Sequence, residues 1–300
     1  MPQSQAPQSA SKNVRREPVV LLGIVTRNRA SILPKAIQSA LSQSYPRVSV
    51  AVLDDGSEDG TPGLSGVFPM VQWHRWEPPR GYMDARNQLM RTDKADYYVS
   101  LDDDAWFVGK DEVAIAIKHL ETNSRVAAVA FDILSPELPG ANIRCAPRPV
   151  SMFIGCGHVV RLSAVRESGF YSPSPGSYGS EEKDLCVRLL DRNWDIDFLP
   201  GVHVWHDKTI LARDQATQHS SGVCNDLVFA LRRCPLPLLL TIFPLKLANH
   251  LWFSVRHRLL RPCLAGIALF LDHAHAVWRS REPVRSKTFL EFVRRSHKAS

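Results

Sequence analysis

Three adjacent carboxylates, Asp102-Asp103-Asp104, directly follow the apolar run YYVSL. Side by side, such groups repel one another and raise each other's pKa unless a cation sits among them. Hard divalent ions such as Mg²⁺ and Mn²⁺ take oxygen ligands and bridge phosphates to protein. A triplet fixed at the end of a buried strand has the rigidity a metal site needs. A solvated acidic turn or a helix cap is the plainer use of the same residues. Asp54 and Asp55 stand in front of Gly56 at the end of a second apolar run. That is either a simple Asp-Gly turn or a carboxylate facing the base or ribose of a nucleotide.

Glu181, Glu182 and Asp184 open a segment of helical pattern. Acidic residues suit the partial positive charge of a helix N-terminus. A carboxylate there that faces a cleft could also act as general base toward an acceptor hydroxyl. The preceding Gly176-Ser177-Tyr178-Gly179 reads as a flexible loop able to admit an acceptor. His206 ends the run VHVW and gains meaning only beside the acidic clusters.

The elements that must position these residues follow from apolar periodicity. Strand-like runs occupy 18–25, 48–53, 70–74, 97–101 and 126–132. Ile32, Leu33, Ala36, Ile37, Ala40 and Leu41 repeat at helical spacing, with Ser31 as the expected N-cap. Further helices are expected after Gly81, at 111–122 and at 181–193. Residues 135–149 are Pro-rich and read as a loop, and 152–160 form an apolar segment around Gly155-Cys156-Gly157. Short strands at 195–199 and 202–205 end at Trp205-His206. Alternating strands and helices predict an α/β fold around a largely parallel sheet. Ligands bind such sheets at the carboxyl ends of the strands, and both aspartate clusters fall there.

The 300 residues allow one large domain plus an appendage, and 44% hydrophobic with 22% charged residues is an ordinary globular composition. A net charge of +7 is concentrated toward residues 252–300, while the acids lie in the first two thirds. That separation argues against a nucleic-acid groove along the molecule. Six cysteines without C-x-x-C spacing indicate neither a zinc site nor a disulfide framework, which suggests a reducing, cytoplasmic setting. Residues 1–17 have no apolar core and read as a disordered tail rather than a secretory signal.

Taken in order, the motifs resemble glycosyltransferase family 2, inverting enzymes of GT-A fold. The matching pieces are Val25-Thr26-Arg27-Asn28-Arg29, ALSQSYP at 40–46, Asp54-Asp55-Gly56-Ser57 and Asp59-Gly60-Thr61. They continue with Arg80-Gly81, Ala85-Arg86-Asn87, Leu101-Asp102-Asp103-Asp104, SEEKDLCVRL at 180–189 and Val204-Trp205-His206. The resemblance implies a GT-A domain over 18–215 that moves a sugar from a UDP-, GDP- or dTDP-sugar to an acceptor hydroxyl, a glycan or a lipid-linked acceptor. It implies donor contacts at Thr26, Arg27, Asp54, Asp55, Gly81, Arg86 and Asp103. It implies Mg²⁺ or Mn²⁺ at Asp102, Asp104 and His206, and the base at Glu182, where the family usually has Asp, with Glu181 the alternative. A role in cell-surface polysaccharide or glycolipid synthesis goes with the resemblance. Among rivals, a sugar nucleotidyltransferase would carry a Gly-rich loop where this chain has TRNRAS, and a dehydrogenase would carry G-x-G-x-x-G. A non-catalytic nucleotide-sugar-binding or scaffold protein would be expected to lose the acids at 102, 104 and 182.

Beyond about 215 the character changes. Two apolar stretches, 235–253 and 262–278, are interrupted by Lys246, His250, Asp272 and His273 and flanked by Arg232, Arg233, Arg256, Arg258, Arg261, Arg279 and Arg281. They are poor membrane spans. Apolar faces rimmed by Arg suit helices lying on the cytoplasmic face of an anionic membrane. Packing on the catalytic domain, or a dimer interface, carries nearly equal weight.

Overall fold

The computed structural model describes residues 16–91, 94–135, 146–207 and 214–298. The expected tail at 1–17 lies almost wholly outside these residues, as does most of the expected loop at 135–149. The first strands are β1 (Val20–Thr26), β2 (Val48–Asp54), β3 (Gln72–Arg75) and β4 (Tyr97–Asp102). The helices between them are α1 (Leu33–Leu41), the short α2 (Leu64–Val67) and α3 (Tyr82–Met90). Then come β5 (Ala105–Phe107), α4 (Glu112–Thr122), β6 (Val126–Leu134), β7 (Arg148–Pro149), β8 (Gly157–Arg161) and α5 (Leu162–Ser168). Finally α6 (Glu181–Asp191) and β9 (Asp195–His206) lead to the helices α7 (Gln215–Arg233), α8 (Leu236–Arg256), α9 (Leu260–Arg279) and α10 (Ser286–Lys298).

The sheet runs β3-β2-β1-β4-β8-β6-β9-β5, with β7 also paired to β9. Its first four strands are parallel, and β1, β2 and β4 are nearly continuous apolar runs because helices cover both faces. The other half is mixed: β6 and β9 also pair in parallel, as expected of a largely parallel sheet, while the remaining ladders are antiparallel. β8 runs antiparallel to both β4 and β6, and β5 runs antiparallel to β9. The two short strands expected at 195–205 are one strand. Its register jumps from Phe131 opposite Leu199 to Asp132 opposite His203, an irregularity that accommodates Pro200, which has no N–H for the ladder.

One apolar core joins α1 and α4 to one face of the sheet, through Leu33, Ile37, Val113, Ile117 and Leu120. A second core joins α3, α5, α6 and α7 to the other. Ser31 does not cap α1. The chain enters that helix through a turn in which the Ile32 and Leu33 amides both donate to the Arg29 carbonyl, so Ile32 takes the cap position and makes no side-chain bond.

Parallel register sets the active edge. Thr26 lies opposite Asp54, and Val25 opposite Asp102. The aspartate clusters at 54 and 102 are therefore brought to one sheet edge.

The C-terminal helices pack on this body. Asp214 caps α7 by accepting from the Ala216 and Thr217 amides. α9 crosses α7 so closely that a Cβ on Gly266 would stand 2.3 Å from the Ser220 carbonyl oxygen. At Gly222, on α7, a Cβ would meet nothing within 4 Å. Gly266→Ala is expected to destabilise by about 1–3 kcal/mol through overpacking. Gly222→Ala is expected to stabilise by about 0.5–1 kcal/mol by lowering backbone entropy cost. Chemical denaturation of the two variants checks this pair of opposite signs.

Candidate active site

Two loops at the active edge are zipped together by side chains. After β1, the Asn28 amide donates to Ser57 Oγ (2.8 Å) and the Arg29 amide to Thr61 Oγ1 (3.0 Å). The Ala30 amide donates to Asp59 Oδ2 (3.0 Å), and the Glu58 amide donates back to Asn28 Oδ1 (2.8 Å). Asn28 holds φ +55, a left-handed conformation that Asn tolerates. Asp55 ties a third segment to this wall, accepting from the Arg80 amide at 2.6 Å and the Gly81 amide at 2.9 Å. Gly81 enters α3 at φ +100, a backbone that side-chain-bearing residues rarely adopt.

A cleft of about 480 Å³ opens beside this wall. Thr26, Arg27, Asp55, Arg86, Asp102, Asp103, Glu181, Glu182 and His206 line it, so nine of the predicted site residues share one cavity. Asp54, Asp104 and Gly81 are the predicted residues outside that lining. Asp54 is buried, accepts from the Ser57 amide and pairs with Arg75 at 2.5 Å, so here it holds the turn.

Buried charge dominates the cleft floor. The guanidinium of Arg86 reaches Asp102 Oδ1 at 2.5 Å and Glu182 Oε1 at 3.6 Å. Burial opposes its charge, but the neighbouring carboxylates hold its pKa well above the usual value. Burial first, then the charge of Glu181, pushes the Glu182 carboxyl well above the ordinary range, partly offset by Arg86. Glu181 accepts a short hydrogen bond from the Tyr82 hydroxyl. Glu182 therefore faces the cleft with Arg86 alongside, while Glu181 is tied to a tyrosine that stacks on Tyr178. Asp103 accepts from the Thr26 hydroxyl at 2.8 Å, and burial pushes its carboxyl up to about 7. Asp184, the third acid of that helix start, turns away to Arg188 and Arg233 and serves the fold.

Donor atoms of Asp102, Cys156 and His206 lie within 4.8 Å of one another. β5 explains how the distant histidine arrives, because Ala105 is paired with His206 across to β9. Asp104 is completely buried behind this group, its Oδ1 3.2 Å from His206 Nε2. That nitrogen makes no hydrogen bond. A carboxylate, an imidazole nitrogen without a hydrogen bond and a second, buried carboxylate facing that same nitrogen suit a divalent ion. Asp104 lies outside the three-donor group and faces the same His206 nitrogen from its buried side.

Tyr178 and Gly179, from the loop expected to admit an acceptor, line the cleft, whereas reading the sequence did not find Cys156, Tyr82 or Gln218 there. The Gly155-Cys156-Gly157 segment was a usable signal. A Cβ on Gly155 would stand 2.2 Å from Glu182 Oε1 and 3.1 Å from Arg86 Nη1. That glycine exists to let the acid and the arginine approach the turn.

Residues 22–139 match the family model for glycosyl transferase family 2, and residues 138–278 match that for glycosyl transferase family group 2. The chain belongs to glycosyltransferase family 2. No protein of curated function matches its sequence. Among solved structures, GalNAc-T7 with UDP, GalNAc and Mn²⁺ is similar at a TM-score of 0.62 and 13% identity, over 76% of this chain and 50% of that one. The match thus spans half the length of GalNAc-T7. The mannosyltransferase PcManGT from Pyrobaculum calidifontis, in complex with GDP-Man and Mn²⁺, is similar at 0.57 and 18%, over 91% of this chain and 79% of that one. S. aureus TarS 1-349 with UDP-GlcNAc is similar at 0.59 and 13%, over 78% and 73%. The architecture is the GT-A fold with a helical C-terminal region.

In this family 2 chain, Gly155→Ala is expected to keep the fold but push Glu182 off its position. If Glu182 is the base, turnover should fall by about 10²–10⁴-fold. Activity assays alongside circular dichroism of the variant check this.

Proposed function

We propose that this protein is an inverting, metal-dependent glycosyltransferase that moves a sugar from a nucleotide-sugar donor to an acceptor hydroxyl during cell-surface glycan synthesis. The observation that carries the reading is the convergence, in one cleft, of the loop wall, the Asp102–His206 pair and Glu182. In this reading the zipped loops after β1 and β2 hold the nucleoside, with Thr26, Arg27 and Asp55 on the donor side. Asp102 and His206 would hold the divalent ion, with Asp104 behind, and the ion would supply positive charge to the departing diphosphate. That solved relatives in the fold carry Mn²⁺ with UDP or GDP-Man supports a metal here too.

The reaction is one in-line displacement. The acceptor oxygen forms a bond to the anomeric carbon as the bond from that carbon to the donor phosphate oxygen breaks. The nucleoside diphosphate leaves with that electron pair, and Glu182 takes the hydroxyl proton. One displacement inverts configuration and needs no sugar–enzyme intermediate. Arg86 fixes the base relative to Asp102, so the proton acceptor and the leaving-group side are held as one unit.

Glu182→Gln is nearly isosteric and cannot accept a proton. Turnover should fall by about 10²–10⁴-fold with donor affinity kept, measured by nucleoside diphosphate release and by donor titration. The base must be ionised, and burial and Glu181 raise its pKa. Activity should therefore rise with pH well above the pKa of about 4.3 of a free glutamate. Glu181→Gln removes the charge that raises it, so the limb should move to lower pH. Loss of turnover in Glu181→Gln with retention in Glu182→Gln would reassign the base.

We also infer that the C-terminal helices lie on the cytoplasmic face of an anionic membrane. α8 is long and apolar enough to cross a membrane by length and composition, but only 11% of its most apolar window is buried. Leu240 is 83% and Trp252 65% exposed, and Leu264, Leu271 and Trp278 of α9 are exposed too. Pro244 lies inside the helix, and Lys246 and His250 pair with Asp226 of α7, which suits a helix lying flat rather than spanning. Arg256, Arg258, Arg261 and Arg279 are exposed. Arg232 and Arg281 instead bond to the Pro173 and Cys234 carbonyls, and Arg233 joins Asp184. The protein should sediment with anionic liposomes at low salt and release at high salt, and Leu240→Glu with Trp252→Glu should abolish sedimentation. Wild-type protein left in the supernatant at low salt would turn the surface over to packing or dimerisation.

A further inference from the structure

We propose that Cys156 is a protein ligand of the active-site divalent ion, so that the site favours a borderline ion such as Co²⁺ over the hard ion Mg²⁺. This rests on the reading of Asp102 and His206 as metal ligands. Atoms sharing one ion stand no further apart than two metal–ligand bonds, roughly 4–4.6 Å. The sulfur, carboxylate and imidazole donors are already within 4.8 Å of each other. A sub-ångström contraction gathers them on a single ion.

The turn that carries Cys156 is pinned on both sides. Gly155 is pressed against Glu182 and Arg86, and a Cβ on Gly157 would stand 2.7 Å from Ile133 Cδ1. The Gly157 amide closes the turn on the Ile154 carbonyl. The cysteine between them has little freedom to look elsewhere. Its surroundings also differ from those of the other described cysteines. Cys186, Cys224, Cys234 and Cys263 belong to the apolar core on the helical side. Cys156 belongs to the apolar core on the other face of the sheet, yet it also lines the cleft, among Asp102, Asp104, Glu182 and Arg86. Packing accounts for one side of Cys156 and leaves its approach to Asp102 and His206 to be explained.

A coordinating thiol gives up its proton, which passes to solvent as the metal–sulfur bond forms. Thiolate is a soft donor and Mg²⁺ a hard ion that demands oxygen in near-ideal octahedral geometry. An O, N, S donor set therefore penalises Mg²⁺ relative to ions that accept sulfur and imidazole.

The test uses the full-length protein with Co²⁺, alone and with UDP. Sulfur ligation gives a near-ultraviolet sulfur-to-cobalt charge-transfer band, expected in the wild type and absent in Cys156→Ser and Cys156→Ala. Competition titrations should show the Co²⁺ to Mg²⁺ affinity ratio falling by about tenfold or more in Cys156→Ser, the scale on which metal-site changes act. Serine is close to isosteric, so it keeps the test usable if the alanine variant fails to fold. Co²⁺ that binds without the band, with an unchanged ratio in Cys156→Ser, overturns the ligand role and leaves the metal reading standing. Absence of any Co²⁺ or Mn²⁺ binding to the wild type, even with UDP, overturns both.

Discussion

The Arg86 guanidinium, almost shut off from water, stands between two carboxylates carried by different elements. Charges taken out of water are costly unless paired, and stripping one partner from a buried pair typically costs about 3–5 kcal/mol. Asp102 ends a strand of the sheet, Glu182 opens a helix laid on it, and Arg86 comes from a third element. Their pairing fixes where α3 and α6 sit relative to β4. It also leaves the cleft floor richer in acid than in base, with Asp102, Glu181 and Glu182 around one guanidinium. An added cation is the natural complement of that imbalance, and the donors nearest to it face the cleft.

Close approach is the price of such a centre, and the glycines show where it falls. Gly155 lies against Glu182 and Arg86, Gly157 against Ile133, and Gly266 against the carbonyl of Ser220. Two of these flank the cleft, and the third draws α9 onto α7. The polar loops after β1 and β2 are instead joined through side-chain oxygens of Ser57, Asp59 and Thr61. One side of the cleft is held by backbone contact and the other by short side-chain bonds.

Much of this was legible in the residues. Apolar runs ending in acids placed Asp54, Asp55 and the 102–104 triplet at strand ends, and parallel register does bring them to one edge. Composition could not say which oxygen faces which neighbour. Asp54 and Asp184 look like their cleft-lining neighbours Asp55 and Glu182, but Arg75, Arg188 and Arg233 claim them. Arg188 is one helical turn from Asp184, but Arg75 and Arg233 lie 21 and 49 positions from their acids, and no local pattern announces them. The antiparallel placing of β5 and β8 was equally hidden, because strand direction depends on which distant strand is free to pair. Cys156 was passed over because a cysteine in an apolar run looks like packing until the turn brings it beside Asp102 and His206.

The change of character near residue 215 suggests a place to divide the chain, and the tertiary contacts argue against cutting there. Asn225 of α7 accepts from the Gly176 amide and donates to the Gly176 and Tyr178 carbonyls, holding the loop that leads into Glu182. Ser221 accepts from the Ser177 amide, Gln218 reaches the cleft, and Arg233, the last residue of α7, neutralises Asp184. A catalytic fragment designed from composition would stop before these residues and leave a buried carboxylate and an untethered loop. The shortest fragment able to keep the cleft in shape must run through the end of α7. In expression work, the boundary of the folded unit lies at least one helix beyond the boundary that the amino-acid pattern advertises.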